Sequence, residues 1–195
     1  MSIKTSLGQC HFVDCVKAMK ELETGSFDLC FTDPPYDQPL LDRENPYENY
    51  TVNHEWLEEA RRVATTVICT PGVNKIYDYP KPTWTLLWLK PGCTTHNITG
   101  GFSTWEPLLY YGGNTIYNDS FRTTITKPRG MKHPCARPVS LWLKVLRQLK
   151  HPITSILDCF LGSGCTCEAA EFLGIKWLGF EIDETYKEDI VKRMH

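Results

Sequence analysis

The stretch from Ser155 to Glu181, SILDCFLGSGCTCEAAEFLGIKWLGFE, restricts the fold more than any other part of the chain. Ser155 to Cys159 reads as a short buried strand, Leu161 to Gly164 as a glycine-rich turn, Thr166 to Leu173 as a helix, and Trp177 to Phe180 as a strand leading to Glu181. Two strands joined by a helix pair in parallel, because the crossover returns the chain to the end of the sheet from which it started. A parallel sheet in turn needs both faces covered.

The rest of the chain repeats this alternation. Cys10 to Val13 has strand character and ends at Asp14, Cys15 to Leu22 is helix-like, and Gly25-Ser26 breaks the chain before the apolar run Phe27 to Phe31. Helical spacing recurs from His54 to Val63, followed by a β-branched strand, Thr66 to Cys69. Trp84 to Leu89 and Pro107 to Tyr111 are further strands, the second placed to return antiparallel, and Ser140 to Leu149 is an amphipathic helix. A last helix starts near Glu184. The expectation is an α/β domain of three layers, with a mostly parallel sheet between helices and ligand sites outside the carboxyl ends of the strands.

At 195 residues the chain is sized for one domain, and its 42% hydrophobic and 23% charged content is that of an ordinary soluble globule. No apolar run approaches the length of a membrane span, and the first residues carry no secretory pattern, so a cytoplasmic protein without membrane contact is expected. The nine cysteines lack the spacing of a zinc site, and reduced, buried thiols with no metal are the expectation.

A net charge of −2 gives no overall attraction for nucleic acid, but charge is segregated along the sequence. From Ser120 to Pro138 there are Arg122, Lys127, Arg129, Lys132 and Arg137 with no carboxylate, whereas Asp42 to Glu59 is rich in acids. A solvated loop and a phosphate-binding loop both fit the basic segment. The acidic segment fits a cover over a ligand or a subunit contact.

Two features point to a site. Phe27 to Phe31 leads into Thr32-Asp33-Pro34-Pro35-Tyr36, where consecutive prolines remove two donors and fix two backbone angles, so that a rigid turn must begin. Asp158 to Gly164 leaves a strand through a turn that two glycines keep open to a ligand, and Glu181 ends the next strand. A carboxylate so placed accepts hydrogen bonds from ribose hydroxyls, which favours a nucleoside-containing cofactor. A merely sharp turn, with Asp183 capping a helix, is the plainer alternative.

Taken together these segments resemble the amino-methyltransferases of DNA. Thr32 to Tyr36 is similar to their catalytic motif, Asp158 to Gly164 to their methyl-donor loop, and Gly179-Phe180-Glu181-Ile182-Asp183 to the strand that holds the ribose. The catalytic motif precedes the donor loop, as in the family's beta class. Phe12-Val13-Asp14-Cys15, Trp105-Glu106-Pro107 and His133-Pro134-Cys135-Ala136-Arg137-Pro138 resemble further segments of that class, the last its HPxxKP stretch. Cys159 stands where a proline is usual, and Arg137 where a lysine is.

The resemblance implies a Rossmann-like methyltransferase fold with circularly permuted motifs and a seven-stranded, mostly parallel sheet with one antiparallel strand. It implies S-adenosylmethionine as cofactor, held by Asp14, Cys15, Asp158, Phe160, Gly162, Ser163, Gly164, Glu181, Ile182, His133 and Arg137. Catalysis would fall to Asp33, Pro34, Pro35 and Tyr36, acting on the exocyclic amine of a flipped DNA base, adenine N6 ahead of cytosine N4 because the motif begins with aspartate. A non-catalytic nucleic-acid-binding protein on the same fold is the alternative of a different class. Residues 1–195 would form one catalytic domain, with the loop 112–132 in place of a recognition domain. DNA would be contacted by Arg122, Lys127, Arg129 and Lys132, and recognition would be short, relaxed or shared with a second subunit in a homodimer.

Overall fold

The computed structural model describes residues 2–35, 54–94, 96–97, 99–124 and 129–194. In chain order the elements are β1 (Ser2–Lys4), β2 (Gly8–Phe12), α1 (Cys15–Lys20), β3 (Phe27–Thr32), α2 (Glu55–Val63), β4 (Ala64–Cys69), β5 (Trp84–Leu89) and β6 (Trp105–Gly112). They continue with β7 (Ser120–Arg122), α3 (Val139–Leu146), β8 (Ser155–Asp158), α4 (Cys165–Leu173), β9 (Lys176–Glu181) and α5 (Lys187–Arg193).

One sheet holds the nine strands of the described residues, in the order β1-β2-β9-β8-β3-β4-β6-β5-β7. Strands β2, β9, β8, β3 and β4 are mutually parallel, while β6 runs antiparallel to both β4 and β5. Two cores lie on opposite faces. On one, α1 and α2 bury Cys15, Met19, Trp56, Leu57, Ala60 and Val63. On the other, α3, α4 and α5 bury Leu141, Trp142, Ala169, Ala170 and Ile190. Strand β3 serves both: Leu29 and Phe31 face the second core and Cys30 the first, which explains the consecutive apolar residues Leu29 to Phe31. Phe31 stacks on Trp142 with ring centroids 4.7 Å apart.

The α/β class and three-layer arrangement are as expected, but the sheet has nine strands rather than seven, and β1 pairs antiparallel to β2, adding a second antiparallel strand. The additional strands, β1 and β7, are three residues each and sit at the two edges, too short to show a period of two. β7 also puts order into the basic segment, because Phe121 is buried beside Trp88.

The topology places the site. From β3 the chain crosses through α2 to β4 on one side, and from β8 it crosses through α4 to β9 on the other. The connections diverge between the adjacent parallel strands β3 and β8, so a crevice opens outside their carboxyl ends. Those ends carry Asp33 and Asp158.

Candidate active site

The crevice is bridged at its base. The Thr32 hydroxyl donates to Asp158 Oδ1 at 2.6 Å, and the Phe160 N–H donates to Thr32 Oγ1 at 3.1 Å and to Asp158 Oδ1 at 3.0 Å. The turn that begins at Asp33 and the turn from Asp158 to Gly164, over a hundred residues apart in sequence, therefore start from a shared hydrogen-bond cluster. Burial pushes the Asp158 carboxyl up to about 6, against the pull of its donors.

The glycine-rich turn is fixed from both sides. Gly162 has φ +53°, and a Cβ there would sit 3.1 Å from His133 Nε2. His133 is itself pinned, its N–H donating to Asp189 at 2.7 Å and its ring lying 4.4 Å from that of Tyr186. Gly164, at φ +86°, brings the chain against Ile190 and Cys167. The Gly162 N–H donates to Glu181 Oε2 at 2.7 Å, joining the turn to the end of β9.

Glu181 is buried, which pushes its carboxyl up to about 7 against the backbone N–H groups of Asp183 and Gly162 that favour the anion. In register with Phe12, it brings Asp14 to the same rim, where Asp14 caps α1 through the Lys17 N–H at 3.0 Å. Beside Glu181, Ile182 is 58% exposed. The set fits a nucleoside: a carboxylate with acceptor capacity beyond its backbone donors for the ribose hydroxyls, and an exposed apolar neighbour. Phe160 is half-buried against Trp56.

Not every expected donor-site side chain lies open on this rim. Ser163 is buried, and its hydroxyl accepts from Arg193 Nη2 at 3.2 Å. Cys15 is in the core, where burial pushes its thiol up to about 12. Arg137 reaches the Asp33 turn: its Nε donates to Asp33 Oδ2 at 2.6 Å, its Nη2 to Asp33 Oδ1 at 3.3 Å, and its Nη1 pairs with Glu106 Oε2 at 3.1 Å. Thr70, just past β4, donates to Asp33 Oδ1 through its hydroxyl. Pro34 is buried and Pro35 half-buried; Tyr36 lies outside the described residues.

Of the expected DNA contacts, Arg122 and Arg129 are exposed and Lys132 pairs with Glu188 at 3.0 Å, while Lys127 lies outside the described residues. The acidic segment falls partly outside them too. In its described part Glu55 pairs with Lys20 and Glu59 with Arg62. Among the described residues no cluster of three or more His, Cys, Asp or Glu is arranged to hold a metal, and no helix is long and apolar enough to cross a membrane.

Sequence reasoning did not single out Thr70, Lys90 or Arg193. Lys90 pairs with Glu106, and Arg193 donates to the Arg137 carbonyl at 2.8 Å and to Ser163. The available signal was a charged residue at the edge of an apolar strand: Lys90 directly after TLLWL, and Glu106 at the start of β6.

Known proteins share parts of this sequence and its fold. Residues 103–192 match the sequence model of the N6/N4 family described as DNA methylase. YubD of Escherichia coli (strain K12), which carries a methylase name, is 25% identical over 89% of this chain and 84% of its own. The type II methyltransferase M.HpaI of Haemophilus parainfluenzae is 26% identical over 93% of this chain and 72% of its own. Among solved structures, the M1.HpyAVI complex with S-adenosylmethionine has the same fold, with a TM-score of 0.72 at 20% identity, covering 95% of this chain and 99% of that one. The cytosine-N4-specific PvuII DNA methyltransferase has a TM-score of 0.73 at 16% identity, covering 98% and 88%. With the motifs in their expected order on one rim of this fold, the chain is similar over residues 103–192 to the N6/N4 family of DNA methylases, whose cofactor is S-adenosylmethionine.

Proposed function

We propose that the chain methylates DNA at the exocyclic amine of a flipped base, adenine N6, using S-adenosylmethionine held along the rim from Asp14 through Glu181 to Gly162. The observation that supports this reading is the shared origin of the two turns, through the Thr32 hydroxyl on Asp158 and the Phe160 N–H on Thr32, the residue before Asp33. Bound there, the cofactor supplies an electrophilic methyl group on a sulfonium.

The residues of this chain then do the rest. An exocyclic amine is a poor nucleophile because its lone pair is delocalised into the ring, and a fixed acceptor for each N–H opposes that delocalisation. The Asp33 carboxylate and the Pro34 carbonyl are those acceptors, and they stabilise the positive charge that develops on nitrogen. The prolines fix the turn before substrate arrives, so little reorganisation is left for the reaction. Tyr36 would stack on the base, offsetting part of the cost of flipping it out of the duplex. The first motif residue, Asp33, favours adenine.

Recognition is proposed to rest on few base contacts, with the segment 112–132 in place of a separate recognition domain and its basic side chains on phosphates. The test is to incubate DNA with the protein and cofactor, digest it to nucleosides and weigh them. N6-methyldeoxyadenosine supports the reading, N4-methyldeoxycytidine alone moves the target to cytosine, and no methylated nucleoside under varied conditions favours a binding protein.

A further inference from the structure

Four charged side chains of alternating sign run inward from the acceptor turn: Asp33, Arg137, Glu106 and Lys90. They are largely shielded from water, Arg137 being 13% and Lys90 3% exposed in their side chains. The Arg137 guanidinium occupies the centre. Two of its N–H groups take the two oxygens of Asp33, a third nitrogen takes Glu106, and its Cζ lies 5.3 Å from the Trp88 ring centroid. Behind it, Arg193 holds the Arg137 carbonyl and Pro138 follows in the chain, so the backbone from which the side chain projects is anchored as well.

We propose that Arg137 is a positioning residue of the acceptor site, fixing the plane of the Asp33 carboxylate through its two-pronged contact and its anchorage on Glu106 and Trp88. A carboxylate held by one donor can swing about its Cβ–Cγ bond. Held on both oxygens by a planar fork, and on Oδ1 by the Thr70 hydroxyl as well, it cannot. Lysine offers a point charge on a flexible stem, without the geometry to span two carboxylates and lie along an indole ring, so arginine and lysine are not interchangeable here. Lys90 already supplies the point charge that Glu106 takes from its other side.

The inference rests on Asp33 being the acceptor-side carboxylate of methyl transfer. Its test compares Arg137→Lys and Arg137→Gln with the wild type in the full chain, reading steady-state transfer to DNA and calorimetric binding of S-adenosylhomocysteine. Misplacing a reacting group by about 1 Å can cost roughly 100-fold in rate, so kcat is expected to fall by about 10- to 100-fold in Arg137→Lys and by at least that in Arg137→Gln. The KM for the cofactor and the affinity for S-adenosylhomocysteine are expected to stay at wild-type values.

An undiminished kcat in Arg137→Lys overturns the proposal. So does weakened cofactor binding with kcat unchanged, which assigns Arg137 to the donor instead. Absence of transfer by the wild type counts against the methyl-transfer reading rather than against Arg137, and the pairing is then read without activity. In a double-mutant cycle of Asp33→Asn and Arg137→Gln, the losses of unfolding midpoint are expected not to add; strictly additive losses refute the coupling.

Discussion

Thr32 and Asp158 close the gap between β3 and β8 with a 2.6 Å hydrogen bond, and the same threonine oxygen receives the Phe160 N–H at 3.1 Å. Both carboxylate and hydroxyl are buried. Thr32→Val keeps the shape and removes the hydroxyl, taking one donor from Asp158 and one acceptor from Phe160. The cost is expected to be about 1–3 kcal/mol in urea unfolding, with weaker cofactor binding, and Thr32→Ser is expected to retain most of both. A valine variant as stable as the wild type would remove this contact from the account.

Glu181 gives the site a pH dependence. Burial raises its carboxyl from the ordinary 4.5 to about 7 in the fold. Its contribution to the stability of the cofactor-free protein is therefore complete below about 4.5 and lost as the pH rises through about 7. Binding is expected to follow the opposite course if Glu181 holds the ribose, because the anion is the form that accepts both hydroxyls. Affinity for S-adenosylhomocysteine, measured by calorimetry, is expected to rise with pH up to about 7 and then level off. Asp158 and Glu106, raised to about 6 and about 7, titrate in the same window, and Glu181→Gln separates them: it is expected to weaken binding and flatten this rise. An unaltered pH profile in that variant would count against the role of Glu181.

At Gly162 the positive φ and the nearby His133 ring act together. Alanine in a left-handed conformation costs roughly 1–2 kcal/mol, and its Cβ would press on the His133 ring at 3.1 Å. Gly162→Ala is expected to lower the thermal midpoint and weaken the cofactor, and His133→Ala in the same chain to recover part of the loss. If the second substitution recovers nothing, the ring is not what constrains the loop.

The basic segment is expected to act on phosphates. Arg129→Ala with Lys132→Ala should weaken DNA binding to a similar extent on unrelated sequences and flatten the salt dependence by roughly 0.9 in log–log slope per lost phosphate contact. Fluorescence anisotropy over a salt series measures this, and an unchanged slope places the DNA elsewhere.

What the sequence disclosed and what it hid have physical reasons. The long elements were legible because burial imposes a period: Trp56, Leu57, Ala60 and Val63 trace one face of α2, and the consecutive Leu29, Cys30 and Phe31 of β3 report a strand covered on both sides. β1 and β7 escaped because three residues at a sheet edge carry no period. The convergence of Asp33 with the glycine turn could be expected from motif order and strand ends alone. The contact of Arg137 with Asp33 could not, since it spans 104 residues and depends on where the chain runs between β7 and α3. Nor does a serine in a glycine-rich turn reveal that its hydroxyl faces Arg193 in the last helix.

The geometry of the crevice is tested most directly by a crystal structure of the protein with S-adenosylhomocysteine. The ribose hydroxyls are expected on Glu181, and the sulfur over the Gly162 turn, turned toward the Asp33 carboxylate across the gap between β3 and β8. A ligand lodged elsewhere on the sheet, or one whose sulfur is walled off from Asp33 by side chains, would contradict the account.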